Sequence, residues 1–77
     1  MDYKYLINYI LKLYHCQTLY LPGPQTCDFY FTLPGGDFKI TLTLEYIGKT
    51  HLMEIIRFFN YSISEEIERR AEHMLEE

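Results

Sequence analysis

Five side chains of the sequence could coordinate a transition metal or act as nucleophiles. They are His15, Cys16, Cys27, His51 and His73. Imidazole and thiolate groups are the usual ligands of zinc, but zinc sites read from a sequence contain pairs of them in C-x₂₋₄-C or H-x₃₋₅-H spacing. The chain has no such pair. The sequence therefore predicts no metal site, and the cysteines are expected to behave as small apolar residues.

The stretch Gly48-Lys49-Thr50 matches the last residues of a phosphate-binding loop. That loop needs a further glycine five residues earlier, so that backbone N–H groups can wrap around the phosphates, but position 43 is Thr43. The strand before it also belongs to a predicted hairpin and not to a parallel β-α-β unit. We therefore interpret the stretch as a turn in which Thr50 is the N-cap of a helix, and we expect no nucleotide or other cofactor.

Glutamates are concentrated near the C-terminus, where they could serve as catalytic acids or bases. Catalysis would require a nucleophile next to a base, or two carboxylates that converge on a cleft. Instead the glutamates fall on one helix stripe, and Glu65/Arg69 and Glu66/Arg70 have the i, i+4 spacing of ordinary ion pairs. The sequence predicts a solvated acidic face and a protein that is not an enzyme. The glutamates predicted to bind a partner are Glu65, Glu68, Glu72 and Glu76.

Tyrosine is unusually frequent, with eight copies in 77 residues. It offers a large, stiff contact area with a polar tip, which suits protein interfaces. Tyr20 and Tyr30 are expected on the open face of a sheet, and Tyr5 and Tyr9 are expected beside the lysines of the first helix. These four are the predicted aromatic contacts of a protein partner. The alternative is that they are amphipathic residues of a solvated surface.

Aromatic side chains on an open sheet also serve some RNA-binding modules, which stack bases on them. Such modules add positive charge to meet phosphate, whereas this chain has a formal net charge of −4. No stretch reaches the roughly 20 apolar residues of a membrane span, and the apolar N-terminal run lacks a signal-peptide cleavage site. We expect a cytoplasmic protein that binds neither nucleic acid nor membrane directly and keeps both thiols free.

The spacing of apolar residues predicts the elements that position these side chains. A helical period over residues 2–15 indicates an amphipathic helix. Two runs with a period of two, ending at Tyr46, indicate a hairpin whose loop is centred on Gly35-Gly36. In the predicted register Leu33 pairs with Phe38. The buried side of the hairpin is predicted to hold Cys27, Phe29, Phe31, Ile40, Leu42 and Leu44.

A third strand, residues 17–21, is predicted to pair with the hairpin so that Leu21 lies opposite Cys27. In that register Tyr20 points to the open face of the sheet. The strands would then form an antiparallel meander, because each connection is short.

Two helices are predicted after the sheet. The first begins after Thr50 and ends near Asn60, and the second spans residues 63–76 because Ser62-x-x-Glu65 has the spacing of a capping box. The order is α-β-β-β-α-α, an α+β fold in which helices cover one face of a three-stranded antiparallel meander. With 48% hydrophobic residues, a chain of this length is expected to form one domain, residues 1–77.

In size, acidity and element order, the chain resembles small acidic anti-CRISPR and anti-restriction inhibitors of phages and other mobile elements. The resemblance implies an inhibitor that docks on a nucleic-acid-handling protein, with the glutamate stripe acting as a phosphate surrogate. It transfers no functional residues, since no motif is shared. The alternative is a homo-oligomeric structural or regulatory module, such as a homodimer, that pairs through the edge strand 38–46.

Overall fold

The computed structural model describes residues 3–21 and 25–75, which form three helices and three strands. The strands make one antiparallel sheet in the order β1-β2-β3. This arrangement confirms the predicted α+β fold and the element order α-β-β-β-α-α. The elements are α1 (Tyr3–Tyr14), β1 (Gln17–Leu21), β2 (Thr26–Leu33), β3 (Gly36–Thr43), α2 (Leu44–Lys49) and α3 (Leu52–Leu75).

β2 and β3 form the hairpin that the alternating apolar pattern predicts, but their pairing differs from the predicted one by two residues. Phe31 lies opposite Phe38 and not opposite Ile40, because the loop contains only Pro34 and Gly35. Gly35 has a φ of 92°, and a proline followed by a residue with positive φ is the sequence of a type II turn. A shift of two residues leaves every side chain on its own face of the sheet.

β3 ends at Thr43, and the strand predicted to continue to Tyr46 becomes a helix. The hydroxyl of Thr43 accepts a hydrogen bond from the N–H of Tyr46 at 3.0 Å, which makes Thr43 the N-cap of α2. α2 buries Ile47 completely. The predicted pairing of Cys27 with Leu44 was therefore wrong, since Leu44 is the first residue of α2.

β1 pairs with β2 in a register one residue away from the predicted one. Tyr20 lies opposite Cys27, where Leu21 was predicted. Cys16, just before the strand, is buried, so alternate residues Thr18 and Tyr20 lie on the helix-covered side. The hydroxyl of Thr18 lies 2.6 Å from the Sγ of Cys27, and this contact gives the hydroxyl a hydrogen-bond partner on the helix-covered side. The predicted place of Tyr20 on the open face was wrong.

α3 is one continuous helix of 24 residues, not two. The stop predicted at Asn60 and the capping box predicted at Ser62 are both wrong. The hydroxyl of Tyr14 donates to Oδ1 of Asn60 at 2.6 Å, so a contact with α1 holds Asn60 inside the helix. Thr50, predicted as the N-cap of this helix, lies instead at the C-terminal end of α2.

The core lies between one face of the sheet and the three helices. Phe59 of α3 is fully buried at its centre. Its ring is 5.2 Å from that of Phe29, 5.4 Å from that of Phe31 and 5.8 Å from that of Tyr14, between centroids. The buried apolar residues are Leu6, Ile7, Ile10, Cys16, Cys27, Phe29, Phe31, Ile40, Leu42, Ile47, Ile55 and Phe59.

Cys16 and Cys27 are both buried free thiols, as predicted. Burial raises the pKa of each thiol above its ordinary value, because a thiolate is poorly solvated in an apolar environment. Both are therefore expected to be unreactive in the native state.

Candidate protein-binding surfaces

The outer side of α3 carries a continuous line of acidic and aromatic residues. They follow one another at alternating intervals of four and three residues, the spacing that keeps side chains on one side of a helix. All are exposed, and the line extends for roughly 27 Å at the rise of an α-helix. We call it the outer stripe. It consists of Glu54, Phe58, Tyr61, Glu65, Glu68 and Glu72.

The carboxylates of the outer stripe are not neutralised within the helix. The predicted Glu65/Arg69 pair does not form. Glu65 instead accepts a hydrogen bond of 2.8 Å from the hydroxyl of Tyr61, and this bond raises the pKa of Tyr61. Across residues 3–21 and 25–75, neither Glu65, Glu68 nor Glu72 has a lysine or arginine nitrogen within 4.0 Å. The stripe therefore presents uncompensated negative charge to solvent.

Glu66 lies on the opposite, inward side of α3 and collects both neighbouring arginines. Arg69 donates to its carboxylate at 2.7 Å, and Arg70 donates at 2.7 Å, which confirms the predicted Glu66/Arg70 pair. The side chain of Glu66 is only 10% exposed. The hydrogen bonds from Arg69 and Arg70 lower the pKa of Glu66. Both arginines are thereby bonded to Glu66, and in the described part of the chain neither lies within 4.0 Å of an outer-stripe carboxylate.

Arg70 ties the C-terminal half of α3 to the β2–β3 turn. Its guanidinium donates to the backbone oxygens of Pro34 at 2.9 Å, Gly36 at 2.7 Å and Asp37 at 3.2 Å. Beyond Phe59 the helix has no fully buried side chain among its described residues. These hydrogen bonds are therefore the main polar attachment that fixes the direction of this part of the helix.

A shallow groove of about 490 Å³ runs between the outer stripe and the edge of the sheet. Phe38 of β3, which is half-buried, supplies an apolar wall. The remaining lining residues are Ser62, Glu65, Glu66, Glu68, Arg69 and Glu72. An incoming side chain would meet four carboxylates and the guanidinium of Arg69 on the helix side and an aromatic ring on the other. Because the carboxylates outnumber the guanidinium, the groove suits a basic group with an apolar stem.

The open face of the sheet does not assemble the tyrosine surface that the sequence predicts. Tyr20 lies on the other face, and Tyr30 is half-buried, with its hydroxyl 3.4 Å from a carboxylate oxygen of Asp28. Asp28, only 4% exposed, also accepts a hydrogen bond of 2.5 Å from the hydroxyl of Thr41. The one predicted tyrosine on this face is thus engaged within the protein. Leu19, a large apolar side chain, is exposed on this face.

α1 presents a second candidate surface, with Tyr5 and Tyr9 exposed as the sequence predicts. Together with Asn8 and Lys12 they line a depression of about 280 Å³. We call Lys4, Tyr5, Asn8, Tyr9 and Lys12 the α1 face.

A second depression, of about 400 Å³, adjoins the first and shares Asn8 with it. Tyr20 lies here, 49% exposed. Burial, followed by the nearby Cys27 and Tyr3, raises the pKa of Tyr20. The residues lining this depression are Tyr3, Lys4, Asn8, Tyr20 and Leu44. The sequence analysis did not predict that Tyr20 lies beside Tyr3. Because Cys16 is buried, alternation along β1 places Tyr20 on the helix-covered side of the sheet, next to α1.

Glu76, one of the predicted partner-binding glutamates, lies outside the described residues. Among residues 3–21 and 25–75, no three histidine, cysteine or acidic side chains are placed so that they could hold a metal ion. None of the helices in this part of the chain is long and apolar enough to cross a membrane.

No protein-family model, no curated protein and no solved structure matches this chain. Of the two surfaces described above, the outer stripe carries the row of glutamates that have no lysine or arginine nitrogen within 4.0 Å among the described residues. The α1 face carries the larger number of tyrosines.

Proposed function

We propose that this protein is a non-catalytic binding domain that docks on a basic, nucleic-acid-binding surface of a larger protein and blocks it. The observation that carries the proposal is the outer stripe, in which Glu65, Glu68 and Glu72 lie in line and, among the described residues, have no lysine or arginine nitrogen within 4.0 Å. A basic surface evolved to meet phosphates attracts such a row of carboxylates, which steers the encounter and fixes the register.

The charge density of the stripe explains why aromatic contacts are also needed. Glu65 and Glu72 are about 10.5 Å apart along the helix axis with one carboxylate between them, whereas a single strand of B-DNA carries a phosphate about every 3.4 Å. The stripe is thus a weaker polyanion than the ligand it would replace. Phe58 and Tyr61 lie in the same line, and buried aromatic anchors supply much of the affinity at protein interfaces.

Rigidity supports the same proposal. A helix that projects without attachments would have to be ordered on binding, and this ordering reduces affinity. Arg70 and Glu66 hold α3 against the hairpin through contacts within the chain. The carboxylates of the outer stripe are therefore presented in a fixed geometry.

The proposal is tested with a paired set of charge reversals. The double variant Glu68→Lys/Glu72→Lys changes the stripe, and Asp37→Lys/Glu45→Lys makes the same change in net charge at exposed positions elsewhere. After a partner is captured and identified by mass spectrometry, its affinity is measured for each variant and for the unaltered protein. We expect the stripe variant to bind at least about tenfold more weakly, because attraction becomes like-charge repulsion, and the control to bind nearly normally.

The mode of action is tested with the same partner. Unaltered protein should displace a labelled nucleic acid from the partner, and the affinity should fall as salt rises. Equal affinities of the two double variants, or a partner that binds nucleic acid and this protein at the same time, would contradict the proposal.

A second candidate function is a homo-oligomeric module that pairs through the sheet edge. β3 lies at an edge of the sheet, which is the observation that favours it. Leu42 is buried, so a substitution there would report on the core and not on the edge. A dimer whose mass, by light scattering, persists at high salt is the expected signature, and a monomer at every concentration would contradict it.

A further inference from the structure

The α1 face combines positive charge with aromatic walls. Its two depressions meet at Asn8 and form one continuous surface. Lys4 and Lys12 lie eight residues apart, or roughly 12 Å along the helix axis. Tyr5 and Tyr9 rise beside them and are both exposed. The surface is therefore suited to an acidic, aromatic helix that lies along it.

The outer stripe of α3 is a helix of that chemistry. Glu65 and Glu72 lie roughly 10.5 Å apart along α3 and nearly in line, and Lys12, which lies about 80° around α1 from Lys4, can reach a carboxylate of such a row through its flexible stem. Phe58 and Tyr61 continue the same line toward the start of α3. The net charge along the chain has the same distribution. The N-terminal part that contains α1, residues 1–26, carries +1, and the C-terminal part that contains α3, residues 48–77, carries −3.

The two surfaces cannot meet within one molecule. α1 contacts α3 through Tyr14, whose hydroxyl donates to the side chain of Asn60. At 3.6 residues per turn, Asn60 and Glu65 are separated by about 140° around the helix. The outer stripe therefore points away from α1 of its own chain and is accessible to another molecule.

We propose that the outer stripe of one copy docks on the α1 face of a second copy. Each contact joins two different surfaces, so every docked pair keeps one free stripe and one free α1 face, and association continues head to tail. This interaction goes beyond the proposed inhibitory function, because it uses the α1 face and needs no foreign partner. It also hides the outer stripe, so self-association and partner binding exclude one another.

The association between copies is expected to be strongest at an intermediate salt concentration. Each copy has a net charge of −4, so two copies repel each other at long range. Near 0.1 M salt the screening length is about 10 Å, which weakens this repulsion but leaves lysine and carboxylate in direct contact. Near 1 M the screening length falls to about 3 Å, and the contacts themselves weaken.

The test uses two variants that each remove one of the two surfaces. Lys12→Glu reverses a charge on the α1 face, and Glu68→Lys/Glu72→Lys reverses two charges on the outer stripe. Sedimentation velocity near 0.1 M salt is expected to show the unaltered protein growing beyond a dimer as its concentration rises. Each variant alone should associate at least about tenfold more weakly.

Mixing the two variants in equal amounts provides the decisive measurement. The mixture uses Glu68→Gln/Glu72→Gln as the stripe variant, because lysines on the stripe would attract the reversed charge of Lys12→Glu. The intact stripe of Lys12→Glu can dock on the intact α1 face of this variant, and the product keeps no pair of oppositely charged surfaces that could extend it. We therefore expect a one-to-one heterodimer and no larger species. All three substituted side chains are exposed, and circular dichroism of each variant checks that the fold is unchanged.

Three outcomes would overturn the inference. They are a monomeric unaltered protein at every concentration, association that neither variant weakens, and a mixture that fails to form the heterodimer. Failure of the proposed function is recognised separately, because Lys12→Glu leaves the outer stripe intact. Capture of a foreign basic partner should survive Lys12→Glu and be lost in the stripe variant, whatever the result of sedimentation.

Discussion

Replacement of Arg70 by alanine is the most informative perturbation of this structure. The guanidinium donates to three backbone oxygens of the β2–β3 turn, at 2.9, 2.7 and 3.2 Å. It also donates to Glu66 in the preceding turn of α3. Its side chain is 23% exposed, so the clamp is only partly accessible to water. Arg70→Ala removes all of these hydrogen bonds at once.

The expected loss of stability follows from the number and exposure of these hydrogen bonds. A hydrogen bond to a charged group contributes about 1.5–3 kcal/mol, but carbonyls at an exposed turn can bind water instead, so about 0.5–1 kcal/mol for each is appropriate. Three such bonds give about 2 kcal/mol. A domain of this length has a total stability of roughly 4–12 kcal/mol, so the change is a substantial fraction of it.

Urea denaturation followed by circular dichroism measures this loss, because the chain has no tryptophan. Amide exchange of residues 64–75 should also become faster in Arg70→Ala, since no described apolar side chain of α3 beyond Ile63 packs against the core. Arg69→Ala is the matched control. Arg69 is the neighbouring residue, 73% exposed, and among the described residues its side chain bonds only to Glu66. If the two variants unfold at the same urea concentration and exchange alike, then the turn is not what holds the helix.

Four further predictions concern the β2–β3 turn, helix α2, the acid limb of stability and the thiols. Gly35→Ala should destabilise the protein by about 1–2 kcal/mol in thermal unfolding, because φ at this position is 92°. Gly48→Ala should stabilise it by up to about 1 kcal/mol, since the helical site is open and has room for a methyl group. The two neighbouring arginines lower the pKa of Glu66 in the folded protein. The ionised carboxylate therefore stabilises the fold above about pH 4.3, the ordinary pKa of a glutamate, and this stabilisation is lost as the pH falls through the lower pKa of the folded state. Glu66→Gln should therefore flatten the acid limb of a stability profile, and an unchanged limb would contradict this. Burial raises the pKa of the Cys16 and Cys27 thiols, so a disulfide reagent should label them only as fast as the protein unfolds, and rapid labelling of the native protein would contradict their burial.

The faces of the hairpin could be predicted from the sequence, but its register could not. Alternation in β2 and β3 depends only on whether a residue number is odd or even, so Phe31 and Ile40 were placed correctly on the buried side. The choice between a four-residue and a two-residue loop leaves that alternation unchanged. It is decided by local turn chemistry, in which Pro34 and Gly35 suit the tighter turn.

The errors in β1 and α3 have a different origin, because tertiary contacts overrode local preference. The leucines at positions 19 and 21 favour a β1 register that buries odd-numbered residues. Because Cys16 is buried, the register instead places the even-numbered residues Thr18 and Tyr20 on the helix-covered side. Asn60 is a weak helix former that would end an isolated helix, but the hydroxyl of Tyr14 binds its side chain. No single-sequence pattern reports that a residue 46 positions away supplies this partner.

The candidate site was predicted in part. The glutamates at 65, 68 and 72 were expected on an exposed helix face and lie on one. Phe58 and Tyr61 were missed because a break was predicted at Asn60, although extending the spacing of the glutamates backward through that position would have found them. Their role in binding, like that of the tyrosines, stays a prediction.

The two ends of β3 are not available to pair with another strand, and this affects how readily the protein can form fibrils. Arg70 binds the backbone oxygens of Gly36 and Asp37 at one end, and the chain turns into α2 directly after Thr43 at the other. An incoming strand could add only along residues 38–43. Steric zippers are built from segments of about six or seven residues with low charge, and Lys39 places a charge inside this short run. The exposed edge is thus a poor template for amyloid growth.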